Sequence, residues 1–246
     1  MRELTEKFLF TLSLCDRNGY WLPSQILMMM QEMGGRHGQT LGVGRAEMLA
    51  KNAVWVLTRN EYRLLRLPRP GELIVAKTHP GPARRTLYPR YHTFELEDGT
   101  PLAEGIGGWT LCDVSTRRMA HLPEVAGLIP DTADLYKPFG SFPSAVEALE
   151  GETEHSLREL HYCDFDVNGH VNNTRAGDWV CDMLGPERLK GRPVRHLVVN
   201  YSREILPGGP VELSLTASGD RFFLRCEREG ELLLSCGGEL GPQANP

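Results

Sequence analysis

The order of structural signals along this 246-residue chain occurs twice, which restricts its folding more than any single segment does. Asn60–Leu73 reads NEYRLLRLPRPGEL and Asn200–Leu213 reads NYSREILPGGPVEL. Each is an apolar-polar strand, a proline-glycine turn and the start of another strand. Upstream, Cys15-Asp16-Arg17-Asn18-Gly19 precedes the apolar stretch Trp21–Met33, and Cys163-Asp164 through His170 precedes Val171–Leu184. A helix followed by an antiparallel meander, occurring twice, calls for a sheet wrapped around a buried helix in each copy.

Local signals fill in that frame. Leu22–Gly34 (LPSQILMMMQEMG) has Pro and Ser near its start, Gly at its end and few β-branched residues, so a helix is expected, with Ile26, Leu27, Met30 and Met33 on one face. Strands are expected over Ala53–Thr58, Asn60–Arg66, Glu72–Thr78, Thr86–Glu95 and Leu102–Asp113. Pro68-Arg69-Pro70-Gly71, Pro80-Gly81-Pro82 and Asp98-Gly99 separate them, and Asp98-Gly99 between alternating strands is the clearest hairpin signal. Ile129–Glu154 is rich in Pro, Ser, Gly and acids without a sustained period, so it reads as a connection. The expected organisation is α+β: a first repeat over residues 1–128, a linker over 129–154 and a second repeat over 155–246.

Composition excludes several classes. Hydrophobic residues at 41% and charged residues at 24% are enough to build a packed core. The six cysteines show neither C-x-x-C pairs nor Cys/His ligand spacing, so no metal and no disulfide framework is expected. No run of about 18 apolar residues and no signal-peptide pattern occurs, which points to a cytoplasmic protein with reduced thiols and no membrane association. A net charge of −5 gives no broad electrostatic reason to bind nucleic acid. Arginine greatly outnumbers lysine and falls in pairs, Arg84-Arg85 and Arg117-Arg118, whose planar forks suit phosphates and carboxylates. Solvated surface arginines are the simpler reading.

The most informative segment is Asp164–Trp179, DFDVNGHVNNTRAGDW. Asp166, Asn168 and His170 alternate, so an extended backbone would turn all three to one side. Asn172 or Asn173 would then cap the helix and leave its first N–H groups facing the same place. Singly, Asp166 and Asn168 are ordinary turn residues and His170 an ordinary hydrogen-bonded histidine. Together they coincide with a carboxylate, Glu204, in the repeated strand. Aligning Tyr62 with Tyr201 sets Glu204 opposite Leu65, so the carboxylate occurs only in the copy with the Asp/Asn/His cluster.

On these residues the chain resembles the acyl-ACP thioesterases of plants and bacteria, a double hot-dog family. Asp166-Val167-Asn168-x-His170-Val171-Asn172-Asn173, Trp179 and Tyr201-x-Arg203-Glu204 match its second-half signature. Trp55-Val56-Leu57-Thr58-Arg59, and Thr116-Arg117-Arg118 before Pro123-Glu124-Val125, match its first half. Departures are Ile205 where the family often has Cys, Ala176 for an aromatic, and Gly177-Asp178 for an apolar-glycine pair.

The resemblance implies hydrolysis of a fatty acyl-ACP thioester in fatty acid biosynthesis, without a cofactor. Catalytic residues would be Asp166, Asn168, His170 and Glu204. Asp166 or Glu204, assisted by His170, would activate water, with Asn168 and helix-start N–H groups polarising the carbonyl; direct attack by Asp166 is the alternative. The first hot dog would hold the acyl chain, making Met28, Met29, Met30, Met33 and Trp55 candidate substrate contacts together with Asn172 and Asn173. Arg84, Arg85, Arg117 and Arg118 would meet acyl carrier protein. An acyl-CoA thioesterase and a non-catalytic acyl-binding module are the competing readings. Fused repeats can pair within one chain, so monomer and homodimer are both open.

Overall fold

The computed structural model describes residues 1–243. Two compact units form: one from Met1–Thr11 and Met28–Pro143, the other from Leu12–Leu27 and the chain from Ser144 onward. This division differs from the continuous split at 128 and 155 expected above. Leu12–Leu27 belongs with the second unit, and most of the expected linker belongs with the first.

The first unit contains β1 (Leu4–Leu9), most of α1 (Pro23–Thr40), α2 (Arg45–Ala50), β2 (Ala53–Leu64), β3 (Leu73–Pro80), β4 (Leu87–Leu96), β5 (Pro101–Asp113) and α3 (Pro123–Ala126). Its strands lie in the order β1-β3-β4-β5-β2, each pair of neighbours antiparallel. The second contains β6 (Thr153–Arg158), α4 (Arg175–Arg188), β7 (Val194–Tyr201), β8 (Val211–Ser218), β9 (Arg221–Arg228) and β10 (Glu231–Leu240). Its order, β6-β8-β9-β10-β7, is the same pattern element for element. The expected duplication of a helix with an antiparallel sheet is therefore what the chain builds.

In the first unit the expected helix ending at Gly34 instead runs to Thr40. It continues through Gly34 and Gly35, and Gly34 leaves room for a side chain from the sheet: a Cβ there would lie 3.2 Å from Arg90 Cδ. Met30, Met33 and His37 are buried. Met30 sits over Gly105 of β5, where an added Cβ would meet its sulfur at 2.7 Å. The expected strands Ala53–Thr58 and Asn60–Arg66 are one strand, β2, kinked by a register shift between Leu57 and Arg59. The Asp98-Gly99 hairpin forms as expected: Gly99 has φ +85°, the left-handed conformation a tight turn requires, and Thr100 N–H donates to Asp98 Oδ1 at 2.9 Å.

Strand alternation puts Arg59, Glu61, Arg63, Glu104, Gly108 and Tyr91 on the sheet face opposite α1. Residues 130–143 cross that face as a strap. Tyr91 Oη donates to the Gly140 carbonyl at 2.8 Å, Arg63 Nη2 to that of Pro138 at 2.9 Å and Arg59 Nη1 to that of Pro143 at 3.2 Å. Tyr136 Oη donates to Glu104 Oε1 at 2.8 Å, and the Phe142 ring fills the space above Gly108, where a Cβ would fall 2.5 Å away. A proline-rich segment without periodicity still packs this well because its carbonyls, unused by any helix or strand, accept from sheet side chains.

In the second unit α4 breaks at Gly185 (φ +70°, ψ 171°), after which Pro186 opens a further turn, consistent with the expected apolar stretch ending at Leu184. Gly177 is required by packing. A Cβ there would fall 2.5 Å from Ser24 N, at the start of α1.

Candidate active site

The Asp166–His170 segment is a tight turn and not an extended strand. Phe165 and Val171 pair as an antiparallel bridge, Asp166 N–H donates to the His170 carbonyl at 3.0 Å, and Gly169 N–H donates to that of Asp166 at 3.0 Å. Asn168 N–H donates to Asp166 Oδ1 at 2.8 Å, and Gly169 takes φ +80°. Asn168-Gly169 is a turn dipeptide, and the Asp side chain two residues before reinforces it, so turn chemistry overrides the period of two.

The same turn is present in the first copy. Cys15 pairs with Trp21, Asp16 N–H donates to the Tyr20 carbonyl at 2.7 Å, and Gly19 N–H to that of Asp16 at 3.0 Å. Asp16 Oδ1 accepts from Asn18 N–H at 2.8 Å and Tyr20 N–H at 2.9 Å, with Gly19 at φ +82°. Leu22 N–H donates to the Leu14 carbonyl at 2.9 Å as Asn172 N–H does to that of Asp164 at 2.8 Å. Aspartate, asparagine and glycine are thus common to both turns. Tyr20, Leu22 and Leu14 stand where the second copy has His170, Asn172 and Asp164.

Within the second turn, His170 Nδ1 lies 3.9 Å from Asp166 Oδ2, and both side chains are partly exposed. That separation is longer than a hydrogen bond, so the carboxylate faces the ring without being bonded to it. Asn168 Nδ2 approaches Asp166 Oδ2 at 3.4 Å. Val171 N–H donates to the Ile205 carbonyl at 2.9 Å, which brings the backbone next to Glu204 alongside the end of the turn; Glu204 itself is exposed.

The hydrogen bonding corrects the repeat alignment. Leu65 and Arg66 N–H both donate to the Leu102 carbonyl, and Ser202 and Arg203 N–H both donate to that of Leu233. Leu65 therefore corresponds to Ser202, and Glu204 stands opposite Leu67, not Leu65. The carboxylate remains a feature of the second copy alone; the tyrosines used to align the copies are not equivalent.

Neither Asn172 nor Asn173 is the N-cap of α4, which is Thr174; Asn172 instead holds that residue in a local turn. Its Oδ1 accepts from Thr174 N–H at 3.0 Å and Thr174 Oγ1 at 2.8 Å. Asn173 Oδ1 is buried without a hydrogen-bond partner, while its carbonyl accepts from Tyr201 Oη at 3.0 Å. Asp164 was not singled out from sequence. It is buried, accepts from His161 N–H at 2.9 Å, and lies 3.5 Å from Arg175 Nε and 3.9 Å from Arg158 Nη2. It pins the first turn of α4 to the segment before the active turn. No period in the sequence marks it, since Asp164 closes a short 3-10 turn over Tyr162–Asp164.

The other expected contacts belong to the first unit. Met30 and Met33 are buried against the first unit's sheet, whereas Met28 and Met29 are half-buried. Trp55 donates from Nε1 to the Val43 carbonyl at 2.8 Å and meets Tyr88 edge-on at 4.9 Å, within a cluster of Val43, Met48, Leu111 and Val125. The arginine pairs are all exposed and come together: Thr86, next to Arg85, contacts Met119 Sδ, next to Arg118, at 3.7 Å. Among the described residues no group of three or more His, Cys, Asp or Glu is arranged to hold a metal ion, and no helix is long and apolar enough to cross a membrane.

The acyl-ACP thioesterase N-terminal domain matches residues 2–126, and the acyl-ACP thioesterase C-terminal domain matches residues 147–232. The chain belongs to the acyl-ACP thioesterase family. Among solved structures, an acyl-ACP thioesterase from Bacteroides thetaiotaomicron VPI-5482 superposes with a TM-score of 0.83 at 21% identity, covering 98% of both chains. The 12:0-ACP thioesterase from Umbellularia californica superposes with a TM-score of 0.81 at 18% identity, also covering 98% of both. These likenesses establish the hot-dog fold. A chloroplastic palmitoyl-acyl carrier protein thioesterase of Cuphea hookeriana is 28% identical over 212 residues, 78% of this chain and 50% of its own length. The chain thus spans about half the length of the curated relatives it matches.

Against the family pattern, the position after Glu204 holds Ile205, which is buried. The cysteines are free, and burial pushes the Cys181 thiol up to about 12. A thiol in that state is not a nucleophile at neutral pH.

Proposed function

We propose that this protein hydrolyses the thioester of a fatty acyl group carried on acyl carrier protein, releasing the free fatty acid. The observation that carries the reading is the pair of matched turns. Asp-x-Asn-Gly builds both, yet only the second ends in a histidine facing a carboxylate, with the loop that follows β7 and carries Glu204 hydrogen-bonded beside it through Val171 N–H and the Ile205 carbonyl. A turn needs no histidine for its stability, as Tyr20 demonstrates in the first copy.

In this reading Asp166 orients His170, whose Nε2 takes a proton from water as the water attacks the thioester carbonyl. The oxyanion is met by Asn168 and by N–H groups at the start of α4. Collapse expels the pantetheine thiolate, a good leaving group, which recovers a proton from His170. Glu204 supports the positive charge formed on the way. The acyl chain occupies the first unit, and the gathered rim of Arg84, Arg85, Arg117 and Arg118 attracts the acidic carrier.

Parallel assays with acyl-ACP and acyl-CoA of equal chain length test the reading. Faster turnover of acyl-ACP supports it; preference for CoA would assign the same chemistry to the other carrier, and binding without turnover would favour the acyl-binding module.

A further inference from the structure

The interior of the first unit holds a charge that the fold does not require. Arg90 of β4 lies in one cross-strand row with Gly107 and Asn60, on the sheet face that receives α1, and His92 lies on the same face two residues along. Arg90 Nη1 approaches His37 Nδ1 at 3.0 Å and Thr78 Oγ1 at 3.4 Å. A guanidinium can only donate, so His37 Nδ1 accepts and its proton is on Nε2, 3.4 Å from the Met1 carbonyl. Both histidines are buried, and His92 Nδ1 has no hydrogen-bond partner.

Among the described residues no carboxylate pairs with Arg90. Glu61 and Glu104 are on the opposite face of the sheet, where Glu104 pairs with Arg63 at 2.7 Å. Arg90 Nε and Nη2 are not among the sealed polar atoms, and the residue keeps 9% of its accessible surface. Burial without an anion lowers Arg90 to about 10 and, with Arg90 beside it, His37 to about 4. The corresponding inward residues of β9 in the second unit are Phe222, Leu224 and Cys226, all buried. At the matching positions of the second unit, three apolar side chains thus do the packing that Arg90, His92 and Phe94 do in the first. A buried cation lacking its counter-ion, beside a buried imidazole nitrogen lacking a partner that can donate in its protonated tautomer, is the complement of a carboxylate.

We propose that this cluster is a subsite for an acyl chain that ends in a carboxylate, Arg90 donating from Nε and Nη2 and His92 from Nδ1. It rests on the reading that the first unit holds the acyl chain of a thioester substrate, and it narrows the substrate class to ω-carboxyacyl chains.

The test compares decanoyl-ACP with the ACP thioester of decanedioic acid, the same length with a terminal carboxylate. Wild type is expected to prefer the carboxylate-ended substrate, and Arg90→Met to lower the ratio of the two kcat/KM values by at least about tenfold. His92→Phe, which removes one donor and keeps the charge, should shift the ratio the same way by less and decides the matter if Arg90→Met does not fold. An unchanged ratio in the folded variants, or a wild-type preference for the methyl-ended chain, overturns the subsite. If neither thioester is hydrolysed, the thioesterase reading fails. The subsite is then judged separately, by whether free decanedioate raises the Tm of wild type and not of His92→Phe.

Discussion

Asp16 and Asp166 spend a carboxylate oxygen in the same way, each accepting the N–H of the asparagine two residues on. The energetic part of that role is therefore shared, and the chemical part is not. Replacing Asp16 by Ala removes two backbone-to-side-chain hydrogen bonds, from Asn18 and Tyr20, and should destabilise the fold by about 1–2 kcal/mol while kcat stays within a few-fold of wild type. Asp166→Ala should lower Tm comparably and also lower kcat by roughly a hundredfold. Equal effects of the two substitutions on kcat would mean that Asp166 acts only through the turn. Cys181→Ala should retain most activity, since its thiol is held up at about 12; a folded but inactive variant would place a cysteine in the mechanism. At this scale the candidate cluster was legible as a run of polar residues, Asp166, Asn168 and His170, with Glu204 in the repeated segment. Two details were not: the register of Glu204, since tyrosines recur at non-equivalent positions, and Asp164, whose burial between Arg158 and Arg175 depends on how the turn brings the start of α4 back beside β6.

Helix α1 and its sheet couple packing to protonation. His37 is buried neutral, with its folded value lowered to about 4 from an ordinary 6.5, and His92 is lowered well below that ordinary value. The unfolded chain binds these protons more readily, so their contribution is fully present above about pH 6.5 and is lost as pH falls toward 4. His37→Gln should reduce the slope of unfolding free energy in that window by up to about 1.4 kcal/mol per pH unit, measured by denaturant titrations at several pH values. An unchanged slope would show that His37 is not the titrating group. Gly177→Ala tests the packing of α4: the added Cβ meets backbone at 2.5 Å, and a loss on the order of 1–3 kcal/mol is expected despite the better helix propensity of Ala. A gain in Tm would show that the α1 start yields easily. Element order, the Asp98-Gly99 hairpin and the duplication were readable from periodicity and turn residues. The continuation of α1 through Gly34-Gly35 was not, because a glycine that makes room for Arg90 looks in the sequence the same as one that ends a helix. Nor were α2 and α3, of six and four residues, which are too short to carry a period.

For the whole molecule, the charge pattern bears on the carrier. The net charge is −5, yet Arg84-Arg85 and Arg117-Arg118 gather on one rim of the first unit. Reversing both pairs to Glu should raise KM for acyl-ACP and flatten its dependence on ionic strength, while leaving a small thioester analogue unaffected. An unchanged KM would remove the rim from the carrier interface. The strap over residues 130–143 was not legible as structure, because its role is to lend carbonyls to side chains of β2 and β4, a pairing without sequence period. The central claim, that a histidine-bearing turn in the second copy hydrolyses acyl-ACP, is tested most directly by kcat/KM on acyl-ACP for wild type and for folded His170→Ala. The account predicts measurable turnover by wild type and a loss of roughly a hundredfold or more in the variant. Near-wild-type turnover by folded His170→Ala would contradict it.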